Sequence, residues 1–370
     1  MNESNTPSLH LKFRIAMAGL LLMGTAMVAQ VATITSNVRV VNVLATVRDK
    51  HGNIINTLTQ EDFVLNEDGR PQTIKYFTRQ TDMPLTLGLL VDTSLSQLRV
   101  LDDERTASAR FTDDVLRADK DSAFLIQFAG DVELLQDITQ SPQQIREAID
   151  RVDSPSMHDR TSSSGGGGYP GGGYPGGGHG RRRGGAGAGT ALYDSIYLAS
   201  NEMMQKQKGR KAIIVLTDGV DHGSKESLDE AIESAQRANT MVYAIYFEGN
   251  EGGGGGWGRP GGGGHRGGWP GGGGWPGVGD SSDGKKVLDR LAKETGGRMF
   301  EVSKKQSITQ IYAQIQDELR NQYNLGYTPD RKPEDGSDYR HIKLTTNKKD
   351  LLVVAREGYY ASEQVQTAKD

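Results

Sequence analysis

Four short apolar runs constrain this chain most. Leu85–Val91, Ala123–Phe128, Ala212–Leu216 and Val242–Phe247 are rich in Val, Ile and Leu and lack the polar alternation of a half-exposed strand. A strand apolar on both sides needs cover on both sides, which a parallel sheet sandwiched between helices provides. Helical patterns separate the runs, near Leu101–Leu116, Pro142–Val152, Ala191–Met204, Lys225–Ala238, Lys285–Thr295 and Ser307–Leu319. Strands alternating with helices predict an α/β fold over residues 84–321, with a doubly wound, mostly parallel sheet of Rossmann-like type.

The flanks read differently. Val41, Val43, Ala45 and Val47 alternate with Asn42, Thr46 and Arg48, and Phe63-Val64-Leu65 and Ile74–Phe77 flank a turn at Glu67-Asp68-Gly69. After residue 321, Tyr323–Tyr327 and Ile342–Leu344 alternate, and Leu351–Val354 is apolar. Residues 37–80 and 322–361 are each too short to bury a core of their own. The expectation is one small β-sandwich built from both, with the α/β block inserted between them. Two separate β appendages are the alternative.

Residues 1–29 have the layout of a signal peptide. Lys12 and Arg14 precede an apolar run from Ile15 to Ala29 that ends among the small residues Gly24, Ala26 and Ala29. Export with cleavage after Ala26 or Ala29 is expected, leaving no stable membrane span and placing the protein in the periplasm, at the cell surface or outside the cell. An uncleaved anchor is the alternative, although the run is short for a span of about 20 residues. The absence of Cys excludes a disulfide framework, a thiolate metal site and a Cys nucleophile. A net charge of -4 argues against nucleic acid or an anionic membrane as the main partner.

Most of the 49 glycines crowd into two tracts, residues 164–189 and 249–279. Neither buries enough apolar surface to offset its ordering entropy, so disorder is expected. Both follow the strand–helix order that puts loops at the carboxyl edge of the sheet. They are read either as a flexible rim, with Tyr169, Tyr174, Trp257, Trp269 and Trp275 as contacts and Arg181–Arg183 as an anion patch, or as inert spacers.

The chemistry is concentrated where the first apolar run ends. Leu85–Val91 leads into Asp92-Thr93-Ser94-Leu95-Ser96, and residues two apart in extended chain share a side. Asp92, Ser94 and Ser96 can therefore offer three oxygen-bearing side chains just past the carboxyl end of a strand, where open α/β sheets bind ligands. Gly189-Thr190 opens a helix, making Thr190 a candidate N-cap, and Thr217-Asp218-Gly219 places Asp218 past another strand. Such an oxygen set suits a hard divalent cation such as Mg²⁺. Each residue also has a local reading, as a turn or cap, and Asp131, Asp194 and Asp221 nearby are read that way.

Asp92, Ser94 and Ser96, the later Thr190 and Thr217-Asp218-Gly219 together resemble the metal-ion-dependent adhesion site of von Willebrand factor type A domains. That resemblance implies a metal held by Asp92, Ser94, Ser96, Thr190 and Asp218, with Mg²⁺ expected and Mn²⁺ or Ca²⁺ admissible. It implies a protein partner that completes the coordination with an Asp or Glu carboxylate. Phe63–Phe77 and Ala355–Tyr360 are similar to secreted bacterial von Willebrand factor A-related proteins. The function expected is an exported, metal-dependent protein-binding or adhesion module and not an enzyme. A metal-independent envelope scaffold is the alternative. A hydrolase or phosphatase using Asp92 as nucleophile is disfavoured, because Ser94 stands where a second acid would be wanted and no Gly-x-Ser-x-Gly elbow occurs. The sequence does not specify an oligomeric state.

Overall fold

A computed structural model describes residues 40–80, 83–97, 100–153, 189–248, 281–331 and 339–361. The expected signal peptide, the second glycine tract, and the first tract up to residue 188, with the rim residues they carry, lie outside the described residues.

The apolar runs form the centre of a six-stranded sheet. Its strands are β5 (Leu85–Asp92), β6 (Ser122–Phe128), β7 (Val132–Thr139), β8 (Arg210–Thr217), β9 (Met241–Tyr246) and β10 (Met299–Glu301), in the order β10-β9-β8-β5-β6-β7. All neighbours pair in parallel except β6 and β7. Every residue of β5, β8 and β9 is buried, which explains why their sequences carry no alternation.

Helices cover both faces. On one, α1 (Leu101–Val115), α2 (Pro142–Ile149) and α6 (Ile308–Arg320) pack Phe111, Ile145, Ile311 and Ile315 against Leu87, Leu89, Ile214 and Tyr243. On the other, α3 (Leu192–Leu198, continued by a π-helical turn Ala199–Met204), α4 (Leu228–Arg237) and α5 (Ser281–Thr295) pack Ile196, Ala235 and Leu291 against Phe124, Ile213 and Val242. The sheet is doubly wound, as its sequence pattern implies. Some helix ends differ from expectation. Helix α4 begins at Leu228, three positions after Lys225, because Ser227 and Glu230 form a reciprocal cap: Glu230 Oε2 accepts from the Ser227 amide at 2.8 Å, and Ser227 Oγ from the Glu230 amide at 3.3 Å.

The two flanks share one sandwich. Its strands are β1 (Val41–Asp49), β2 (Phe63–Glu67), β3 (Arg70–Gln72) and β4 (Ile74–Gln80) from the N-terminal side, with β11 (Gln322–Tyr327), β12 (Tyr339–Thr346), β13 (Leu351–Ala355) and β14 (Gly358–Tyr360) from the C-terminal side. They interleave as β13-β1-β11-β4 and β14-β12-β2-β3, so each sheet draws on both segments. Val43, Val47, Phe63, Leu65, Tyr323, Leu325, Ile342 and Tyr359 fill the space between the sheets. Neither segment alone has that core, which is why the α/β block is an insertion.

One buried ionic contact ties sandwich to insertion. Glu318, near the end of α6, has its carboxylate against the guanidinium of Arg48 from β1 and accepts from Arg298 at 3.2 Å. The Glu318 side chain is 1% exposed and that of Arg48 is 6% exposed.

Candidate functional site

The candidate site lies at the carboxyl ends of β5 and β8, adjacent central strands. Strand β5 ends at Asp92, and Ser94–Gln97 then turn instead of running on extended. The two-residue alternation read from the sequence is therefore not what gathers these side chains. An Asx-type turn does so: Asp92 Oδ1 accepts from the Ser94 amide at 2.9 Å, and the Gln97 amide donates to the Ser94 carbonyl at 3.0 Å. The Ser94 and Ser96 hydroxyls end 3.1 Å apart. Leu95 between them points outward and is 59% exposed.

Strand β8 meets this turn through Thr217, whose hydroxyl donates to Asp92 Oδ2 at 2.6 Å while accepting from the Gly219 amide at 3.1 Å. Asp218 follows, nearly buried, its carboxylate accepting from the Val220 amide at 3.1 Å. Thr190 is held against the same loop, because its carbonyl accepts from the His222 and Gly223 amides at 3.0 Å. Asp92, Ser94 and Ser96 thus form one linked turn, with Thr190 and Asp218 on the facing loops.

Thr190 does not cap α3. Ala191 occupies the N-cap position, and Asp221 Oδ1 accepts from the Leu192 and Tyr193 amides at 2.8 and 3.2 Å. Asp194 in turn accepts from the Lys225 and Glu226 amides, both at 2.9 Å. Asp221 and Asp194 are occupied by backbone, which leaves the Thr190 hydroxyl outside the capping scheme.

The electrostatics favour a cation. Asp92 is completely buried, and burial, with the Asp218 charge adding to it, pushes its carboxyl up to about 7 against the hydrogen bonds from Ser94 and Thr217. Among the described residues no Lys, Arg or His pairs with Asp92 or Asp218, and no three His, Cys, Asp or Glu side chains cluster as a metal site. Any ion held here relies on hydroxyls beside two carboxylates, a donor set that fits Mg²⁺ or Mn²⁺.

A pH dependence follows for chelated protein. The native Asp92 retains its proton up to about pH 7, whereas an unfolded Asp releases it near the ordinary 3.8. The native state therefore binds more protons between those values, and stability is full below about pH 4 and falls as pH rises to 7, by up to about 4 kcal/mol. Urea titrations across that range should show the loss, and Asp92→Asn should reduce it, leaving the part due to buried Glu104, whose carboxyl is likewise pushed up. An identical slope in the variant would exclude Asp92 as its source.

Three further residues belong to the site: Thr217, which the sequence marks only as part of Thr217-Asp218-Gly219, and Gln97 and Glu104, which sit in no motif. The signal for Glu104 was its position: with Leu101, Ser108, Phe111 and Val115 it lies on the inward face of α1, where a carboxylate is out of place.

Residues 182–314 match the family model for the von Willebrand factor type A domain, a span that includes Thr190 and Asp218 but not Asp92–Ser96. No curated protein matches the chain. Among solved structures, protein BatB from Bacteroides thetaiotaomicron is similar at 19% identity, covering 64% of this chain and 97% of that one, with a TM-score of 0.39. Proximal thread matrix protein 1 from the mussel byssus, in a structure whose metal-ion-dependent adhesion motif is occupied by zinc, is 15% identical over 69% of this chain and 50% of that one, with a TM-score of 0.42. A von Willebrand factor type A protein from Catenulispora acidiphila is 10% identical over 88% of this chain and 74% of that one, with a TM-score of 0.41.

Proposed function

We propose that this chain, which carries a von Willebrand factor type A domain, is an exported binding module that takes an acidic side chain of a protein partner through a divalent cation. The observation that carries the reading is the buried Asp92 carboxylate, which is joined to the Ser94–Ser96 turn and to β8 through Thr217 and has no cationic partner among the described residues. Ser94, Ser96 and Thr190 would supply hydroxyl oxygens, and Asp92 and Asp218 the charge. A divalent cation held there would offer an open coordination position to an Asp or Glu of the partner. Leu95, exposed between the two serines, would give that partner an apolar contact beside its carboxylate.

Export rests on the N-terminal layout of basic flank, apolar run and small residues. No helix among the described residues is long and apolar enough to cross a membrane.

Calorimetry of the full chain with Mg²⁺ and with Mn²⁺ tests the reading. Wild-type protein should bind both, and Asp92→Ala should weaken binding by about 100-fold or more. Unchanged affinity in Asp92→Ala would end the adhesion-site reading. Partner capture should then be lost with chelator and restored by added Mg²⁺.

A further inference from the structure

We propose a second cation site on the inner side of the Asp92 turn, formed by the Glu104 carboxylate, the Gln97 side-chain carbonyl and the Asp92 carboxylate. It rests on the reading of Asp92 as a cation ligand. Glu104 is 1% exposed, and neither of its carboxylate oxygens has a hydrogen-bond partner among the described residues. Gln97 is fully buried as well, and its Oε1 is likewise without a partner. A carboxylate and an amide oxygen left bare in a protein interior are costly unless something positive meets them.

Both groups belong to the candidate site by construction of the backbone. The Gln97 amide donates to the Ser94 carbonyl, the Val100 amide to the Gln97 carbonyl, and the Glu104 amide to the Val100 carbonyl, so successive turns lead from the serines into α1. The Gln97 side-chain nitrogen lies 3.5 Å from Ser96 Oγ. Burial, and after it the nearby Asp92 charge, push the Glu104 carboxyl well above the ordinary range, which places Glu104 within electrostatic reach of Asp92. Asp92, Glu104 and the Gln97 carbonyl are an all-oxygen acceptor set, which selects a hard cation of the Ca²⁺ or Mn²⁺ kind.

The charge balance connects this site with partner binding. Asp92, Asp218 and Glu104 together bring at most three negative charges, so one divalent cation leaves the centre neutral or negative and gives an acidic partner no net attraction. A second cation makes it positive and attracts one. Glu104 and Gln97 thereby set whether the outer cation can accept a carboxylate.

The test uses the full chain, stripped with chelator and titrated with Mn²⁺, free ion being followed by electron paramagnetic resonance and bound ion by calorimetry. Wild type should bind two Mn²⁺ ions, and Glu104→Gln should bind one, its second site weakened by at least about tenfold. Gln97→Met should give the same loss and is read in its place if Glu104→Gln does not fold. The two wild-type ions should show spin coupling through the shared Asp92, a signal that a merely structural Glu104 would not produce. If wild type binds one Mn²⁺ and both variants keep it with unchanged affinity, the second site is overturned and the adhesion-site reading stands. If wild type binds none, both fall.

Discussion

Glu318→Gln is expected to destabilise the protein by about 3–5 kcal/mol, the usual cost of removing one partner from a buried ion pair. The Arg48 guanidinium, 6% exposed on the sandwich strand β1, would keep its charge and lose the carboxylate that faces it. Arg298 would lose its 3.2 Å contact too, but its side chain is 33% exposed and water can replace the partner. Arg48 carries the penalty for that reason. Scanning calorimetry should register a fall in Tm of roughly 10 °C, taking about 2–4 °C per kcal/mol for a chain of this size. The double variant Arg48→Met with Glu318→Leu should recover most of the loss, since apolar replacements of both charges leave nothing stranded. A Glu318→Gln protein within about 1 kcal/mol of wild type would show that Arg48 is already solvated.

The second large effect is expected at Gly284, in the first turn of α5. A Cβ there would lie 2.2 Å from the Asp218 carbonyl oxygen and 3.3 Å from the Gly219 carbonyl carbon. The contact is reciprocal: Gly219 has φ +77°, and a Cβ on it would lie 2.5 Å from the Gly284 carbonyl oxygen. Backbone is packed on backbone, with no side chain able to swing aside. Gly284→Ala must therefore displace α5 or the Asp218 loop, at about 1–3 kcal/mol for overpacking. If Asp218 is a cation ligand, the displacement also reaches the ion, and Mn²⁺ affinity should fall by about tenfold, the equivalent of roughly 1.4 kcal/mol. Calorimetry would measure the affinity and urea unfolding the stability. Wild-type values in both would mean that the loop and helix can separate at no cost.

How much could be read beforehand depended on how local the cause was. Strands β5, β6, β8 and β9 stood out as apolar runs because burial on both faces leaves a mark in every residue. Strand β7 did not: an edge strand, antiparallel and partly exposed, it reads Val-Glu-Leu-Leu-Gln-Asp-Ile-Thr and resembles loop. Strand β10 has only three residues, too few for a period. Asp92, Ser94, Ser96, Thr190 and Asp218 were singled out by type and by position after predicted strands. Their mode of gathering is not legible in the sequence, since an Asx turn and not an extended segment joins the first three. The cap of α3 is not legible either, because the oxygen that serves it comes from Asp221 and not Thr190, in a loop that only the fold brings near.

The sequence by itself determined the layering of this protein, because hydrophobic period follows from which faces of each element must leave water. It also determined the inventory of oxygens at the strand ends. The tertiary structure decided the rest: the antiparallel pairing of β1 with β11 and β13 across the insertion, the burial of Arg48 against Glu318, and the enclosure of Glu104 and Gln97 behind Asp92. Those depend on contacts between residues far apart in the chain. Burial changes the energy of a charge only once those contacts have closed around it.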